Sequence, residues 1–125
     1  MSLTVSDADI DGILRIGHES SIRNSAGVSM EEALRRTCYR KLRSGIDHAK
    51  VVAALQARPQ AVHDWIMYSQ DKRTNGGWYI DPESFRIARH GHENSTYSFG
   101  TLTDAVAAYI LHELDFWSGR ATELR

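Results

Sequence analysis

One cysteine, Cys38, is all the chain has, which excludes an intramolecular disulfide and any cysteine-rich metal cluster. Proline is nearly as scarce, with two in 125 residues. Neither a low-complexity tract nor an internal repeat interrupts the sequence, so long disorder is not expected. Long apolar runs are missing too. The stretch "AVAAYIL" from Ala105 falls far short of the roughly twenty residues that span a bilayer, and no membrane partner is expected. The first ten residues, "MSLTVSDADI", hold acids where a secretory signal would hold basic residues, so a cytoplasmic protein is expected. Nor is there a strong excess of either charge: the net value is −1, which argues against nucleic acid as the partner.

What is present is the composition of an ordinary globular protein, 42% hydrophobic and 25% charged, of a length that suits a single domain over residues 1–125. Charge is unevenly placed. Residues 1–29 carry −2, residues 30–73 carry +4 and residues 74–125 carry −3.

The first half reads as helices. Ser6 is placed to cap one, with Asp7 and Asp9 in its first turn and Ile10, Ile13 and Leu14 as its apolar stripe. Ser29 and Glu32 form a capping-box pattern for a second helix, in which Met30, Leu34, Cys38 and Leu42 recur at steps of four up to the stop at Gly45. That spacing predicts a buried, inert Cys38 thiol. Asp47 starts a third helix, with Val51, Val52 and Leu55 on one side, and Pro59 a fourth, with Ala61, Val62, Trp65, Ile66 and Tyr68 on one arc.

After Gly77 the period changes from helical to alternating. "WYI", "FRIAR" and "STYSF" read as strands, parted by the turn signals "DPES" and "GHEN". Phe85 and Ile87 are expected on one face, and Tyr97 and Phe99 on one face of their own strand. A last helix begins near Thr101 or Thr103 and is apolar nearly all round, through Val106, Tyr109, Ile110, Leu111, Leu114, Phe116 and Trp117. Such girth predicts burial between layers, and it also admits a homodimer. The expected class is α+β: N-terminal helices, a three-stranded antiparallel meander, and a C-terminal helix packed on the sheet.

The joint between the two halves is "SQDKRTNGGWYI", Ser69 to Ile80. Local physics accounts for much of it. Lys72 and Arg73 fall where unpaired helix carbonyls attract cations. Asn75 and Gly76 suit the left-handed turn that closes a helix, and Trp78, Tyr79 and Ile80 suit a strand. Successive strand residues point to opposite faces, so Trp78 or Tyr79 is expected to turn away from the core. An exposed aromatic beside cations has the composition of a protein-interface hot spot. Asp71, Lys72, Arg73, Trp78 and Tyr79 are therefore the candidate partner-binding residues.

"WIMYSQDKRTNGGWYI", followed by the meander and "DAVAAYILHEL", resembles small bacterial proteins associated with immunity in polymorphic and contact-dependent toxin systems. The resemblance covers residues 60–117, and "DKRTNGGWYI" is its most distinctive piece. It implies a cytosolic inhibitor that binds a cognate toxin domain and has no catalysis of its own.

Chemical motifs are few. His90 and His92 form H-x-H in a turn, and His112 with Glu113 lacks the second histidine of H-E-x-x-H, so no metal site is assigned. No nucleophile motif or phosphate loop occurs, and neither a catalytic residue nor a cofactor is assigned. Two alternatives stay open. One is a nucleic-acid binder using the basic helix 35–43, where Arg36, Arg40 and Arg43 share a face. The other is an enzyme or ligand-binding domain whose site is assembled from scattered residues.

Overall fold

A computed structural model describes residues 5–20, 29–72 and 76–119. The chain is α+β. Helices α1 (Asp7–Leu14), α2 (Ile16–Glu19), α3 (Met30–Arg36), α4 (Tyr39–Leu42), α5 (His48–Ala57) and α6 (Pro59–Asp71) precede strands β1 (Trp78–Asp81), β2 (Arg86–Arg89) and β3 (His92–Ser98), and α7 (Leu102–Trp117) follows. No helix among the described residues is long and apolar enough to cross a membrane.

The helix starts follow from their caps. Ser6 Oγ accepts from Asp9 N at 3.1 Å while Asp9 Oδ2 accepts from Ser6 N at 3.0 Å, a closed capping box. Asp47 Oδ1 accepts from Lys50 N at 2.8 Å, and Pro59 takes the first position of α6. Thr101 Oγ1 accepts from Asp104 N at 3.1 Å and starts α7. Ser29 caps α3 through Glu32 N, but the expected reciprocal bond does not form. The Glu32 carboxylate turns instead to Arg36, at 2.8 Å, and to Arg35.

The helix expected to run unbroken from Met30 to Leu42 is two helices. Thr37 Oγ1 donates to the carbonyls of Ala33 and Leu34, and Cys38 takes the left-handed conformation at φ 55°. This break corrects two expectations. Cys38 is exposed rather than buried, because the chain is re-aimed and Tyr39 takes the inward place. The basic stripe is also divided: Arg36 pairs with Glu32 on α3, while Arg43 bonds Asp115 on α7 at 2.8 Å.

Strands β1, β2 and β3 pair antiparallel in that order. Trp78 faces Arg89 and Ile80 faces Ile87, and Ile87 faces Tyr97. Strand β2 begins one residue later than expected. Asp81 accepts from Glu83 N and Ser84 Oγ, and this turn leaves Phe85 at φ 55° rather than in the strand. Strand β3 begins at His92, earlier than "STYSF", and its pairing with β2 is irregular between Ala88 and Arg89.

Helix α7 lies at the centre. Ala105, Val106, Tyr109, Ile110 and Leu114 are fully buried, against α5 and α6 on one side and β1 and β2 on the other. Most of its apolar girth is thus covered by its own chain, while Trp117 at its end stays 36% exposed. On the far side of α6, Trp65 Nε1 donates to Leu14 O at 2.9 Å. There the ring lies so close to Gly17 that a Cβ would stand 2.7 Å from it.

Candidate functional site

The joint expected to form a cationic rim is built around a buried carboxylate. Glu113, on α7, is 0% exposed. Its Oε2 accepts from Tyr68 Oη at 2.8 Å, Lys72 Nζ at 2.8 Å and Trp117 Nε1 at 2.9 Å, and its Oε1 accepts from Trp78 N at 2.7 Å. Lys72 Nζ also donates to the carbonyls of Gly76, at 2.9 Å, and Trp78, at 2.7 Å. Burial lowers the Lys72 pKa from its usual value, and Glu113 opposes that shift. Burial first, and then Glu113, raises the Tyr68 hydroxyl well above the ordinary phenol range. A buried carboxylate is tolerable only when donors surround it. These donors come from α6, β1 and α7, so the cluster ties three elements together.

Gly77 is part of the same construction. Its φ is 79°, and a Cβ there would run into the Glu113 carboxylate and stand 2.9 Å from Trp117 Nε1. Glycine meets both demands, the left-handed backbone and the close approach.

The five candidate residues are therefore separated. The Lys72 side chain is 5% exposed and reaches forward to β1, not back to the helix carbonyls as expected. α6 ends at Asp71, and Lys72 is extended. Trp78 is 7% exposed and belongs to the inner face of the sheet. Tyr79, by alternation on the opposite face, is half-buried against His90, with ring centroids 4.8 Å apart. Asp71 is half-buried. Arg73 lies outside the described residues, as do Thr74 and Asn75. Of the two aromatics expected to part, Trp78 takes the inner face and Tyr79 the outer, while Glu113 draws the Lys72 side chain inward.

An accessible aromatic does occur, two strands away. Tyr97 on β3 is 50% exposed. Its ring stacks on His112, with centroids 5.3 Å apart and planes at 24°, and on Trp78 at 6.0 Å. His112 in turn lies 4.4 Å from Trp78. Burial lowers the His112 pKa, with Asp115 opposing the shift, which favours the neutral ring in this stack.

Beside the stack is a groove of about 590 Å³, within the size range of ligand and peptide clefts. Ala108 and Leu111 line it from α7, Phe99 from the end of β3, and Ile46 and His48 from the approach to α5. Arg43 holds that approach in place: Nε donates to Asp115 Oδ1 at 2.8 Å, Nη1 donates to Ile46 O at 2.7 Å, and Tyr39 Oη joins on Asp115 at 2.7 Å. Arg89, also in the lining, has its guanidinium 5.4 Å from the Phe116 ring and no carboxylate partner among the described residues.

The arrangement is an aromatic stack with one ring half-exposed, an apolar floor and an arginine at the side. Among the described residues no three histidine, cysteine, aspartate or glutamate side chains converge to hold a metal ion. Sequence reasoning missed Glu113, although an acid in the middle of an otherwise apolar helix is a sign of buried pairing. Tyr97 and His112 carried no comparable sign, since only the tertiary fold brings them together. No family model matches the chain, and neither a curated protein nor a solved structure matches it.

Proposed function

We propose that this chain is a non-catalytic protein-binding module, an immunity-type inhibitor that binds and neutralises a cognate bacterial toxin domain in the cytoplasm. The supporting observation is Tyr97: a half-exposed ring held in one orientation by His112 and Trp78. Pre-ordered aromatic anchors lose little freedom on binding and dominate the energetics of interfaces. The basic helix offers a weaker surface, since Arg36 and Arg43 are engaged within the fold. Glu113, the most buried acid, is occupied by protein donors and forms a clamp rather than a reaction centre.

The test is co-expression with any toxin-like domain encoded beside this gene, and the absence of such a neighbour also counts against the reading. Restored growth of the host and co-purification of the two proteins is the expected result. Continued toxicity with no complex formed removes the inhibitor reading.

A further inference from the structure

The groove lies along an edge of the sheet beside which no strand among the described residues pairs. Strand β3 is an outer strand of the order β1-β2-β3. Phe99 N donates to Phe85 O at 2.9 Å, and Tyr97 sits opposite Ile87. In an antiparallel ladder these two residues turn their backbone groups toward β2, so those of Ser98 between them point outward. Ser98 is exposed, and nothing lies within 4 Å of where a Cβ on Gly100 would stand. Approach to this end of the strand is open.

A strand laid beside Ser98 would have every second side chain over the groove, because strand side chains alternate. The floor it would meet is Leu111 and Ala108, with Phe99 and Tyr97 as the wall. Those surfaces call for an apolar side chain. Arg89, without a carboxylate of its own among the described residues, calls for an acidic one.

A second copy of this chain fits the edge poorly. Only Thr96, Tyr97 and Ser98 pair in unbroken register with β2, and the chain shifts register before His92 pairs with Arg89. Antiparallel self-pairing would set that irregular stretch of one copy against the regular stretch of the other. Such bulges are a device against edge-to-edge association of like strands.

We propose that the Ser98 edge and its groove take up an extended segment of the partner protein as an added strand, with an apolar side chain on the Tyr97–His112 rings and an acidic one toward Arg89. The proposal rests on the inhibitor reading and names how the partner is held.

The experiment measures binding of the purified neighbouring toxin domain to the full chain and to three variants. Ser98→Pro removes the outward N–H while sparing the ladder bonds of Tyr97 and Phe99. Tyr97→Ala removes the anchor, and Gln56→Ala alters an exposed position on α5 outside the groove. Thermal unfolding shows in each case that the variant is folded. Ser98→Pro and Tyr97→Ala are expected to weaken binding by roughly tenfold or more, with Gln56→Ala unchanged. Amide exchange at residues 96–99 is expected to slow in the complex. A toxin domain bound equally by the full chain, Ser98→Pro and Tyr97→Ala overturns strand addition and leaves the inhibitor reading standing. A toxin domain that the full chain does not bind removes both.

Discussion

At β1, Trp78 gives its N–H to Glu113, its carbonyl accepts from Lys72, and Ile80 gives its N–H to Ser69 Oγ at 3.1 Å. At β3, Ser98 points its backbone groups outward, and no strand among the described residues pairs with them. One three-stranded sheet thus has one edge sealed by side chains from α6 and α7 and one edge left open above a groove. An unpaired edge is a liability that proteins usually cover. Sealing one so thoroughly while leaving the other beside an aromatic stack separates a part that holds the fold from a part that is available for binding.

The comparison breaks most severely at Glu113. Glu113→Ala leaves the Lys72 ammonium and the Trp78 N–H buried without their acceptor, and such a loss costs about 3–5 kcal/mol. Denaturant titration of the variant checks it. Lys72→Met in the Glu113→Leu background removes both charges together and is expected to recover a good part of that loss. A Glu113→Ala variant as stable as the parent chain would mean that the β1 edge is not held from α7. Gly77→Ala attacks the same edge by shape, forcing a side chain into the left-handed region and onto the Glu113 carboxylate. A loss of about 2 kcal/mol is expected, read from the same titration.

Much of this contrast was legible in the sequence, but unevenly. Caps and periods are local, so Ser6, Asp47, Pro59 and Thr101 marked their helices, and the change of period after Gly77 marked the sheet. What failed depended on contacts distant in sequence. The step of four through Cys38 looked like one helix, because nothing local reveals that Tyr39 would be recruited by Asp115, far along the chain. Lys72 and Trp78 had the composition of a contact patch, and an acid on α7 turned them into structural parts. Arg73 lies outside the described residues, so that portion of the expected rim stands apart from the comparison.

Acid sharpens the difference from the open side. The His112 pKa in the fold is lowered below the usual 6.5, chiefly by burial, with Asp115 pulling the other way. Below that usual value the unfolded chain takes up a proton more readily than the folded chain. Stability is therefore full above about pH 6.5 and falls as the pH drops toward the folded-state pKa. Unfolding midpoints at about pH 7.5 and about pH 5.5 are expected to differ in this direction. His112→Phe, which keeps a ring in the stack, is expected to remove the part of the difference that this group supplies. An unchanged slope in that variant would show that His112 is not the proton acceptor.

The smallest expected effects belong to the open edge, and their smallness is informative. Ser69→Ala leaves the Ile80 N–H without its partner and is expected to cost about 1 kcal/mol. Ser98→Pro, at the other edge, deprives the folded chain of no bond. Its cost is limited to fitting the proline ring into an extended backbone, about 0.5–1 kcal/mol. Tyr97→Ala strips a half-exposed ring from the stack and is expected to cost a similar amount, because the groove beneath is held independently by Arg43 and Asp115. Denaturant titration of these three variants ranks the edges directly. If Ser98→Pro destabilised the isolated protein as much as Glu113→Ala, β3 would be a structural edge like β1. Near-neutral stability makes any loss of binding in the same variant attributable to the surface itself.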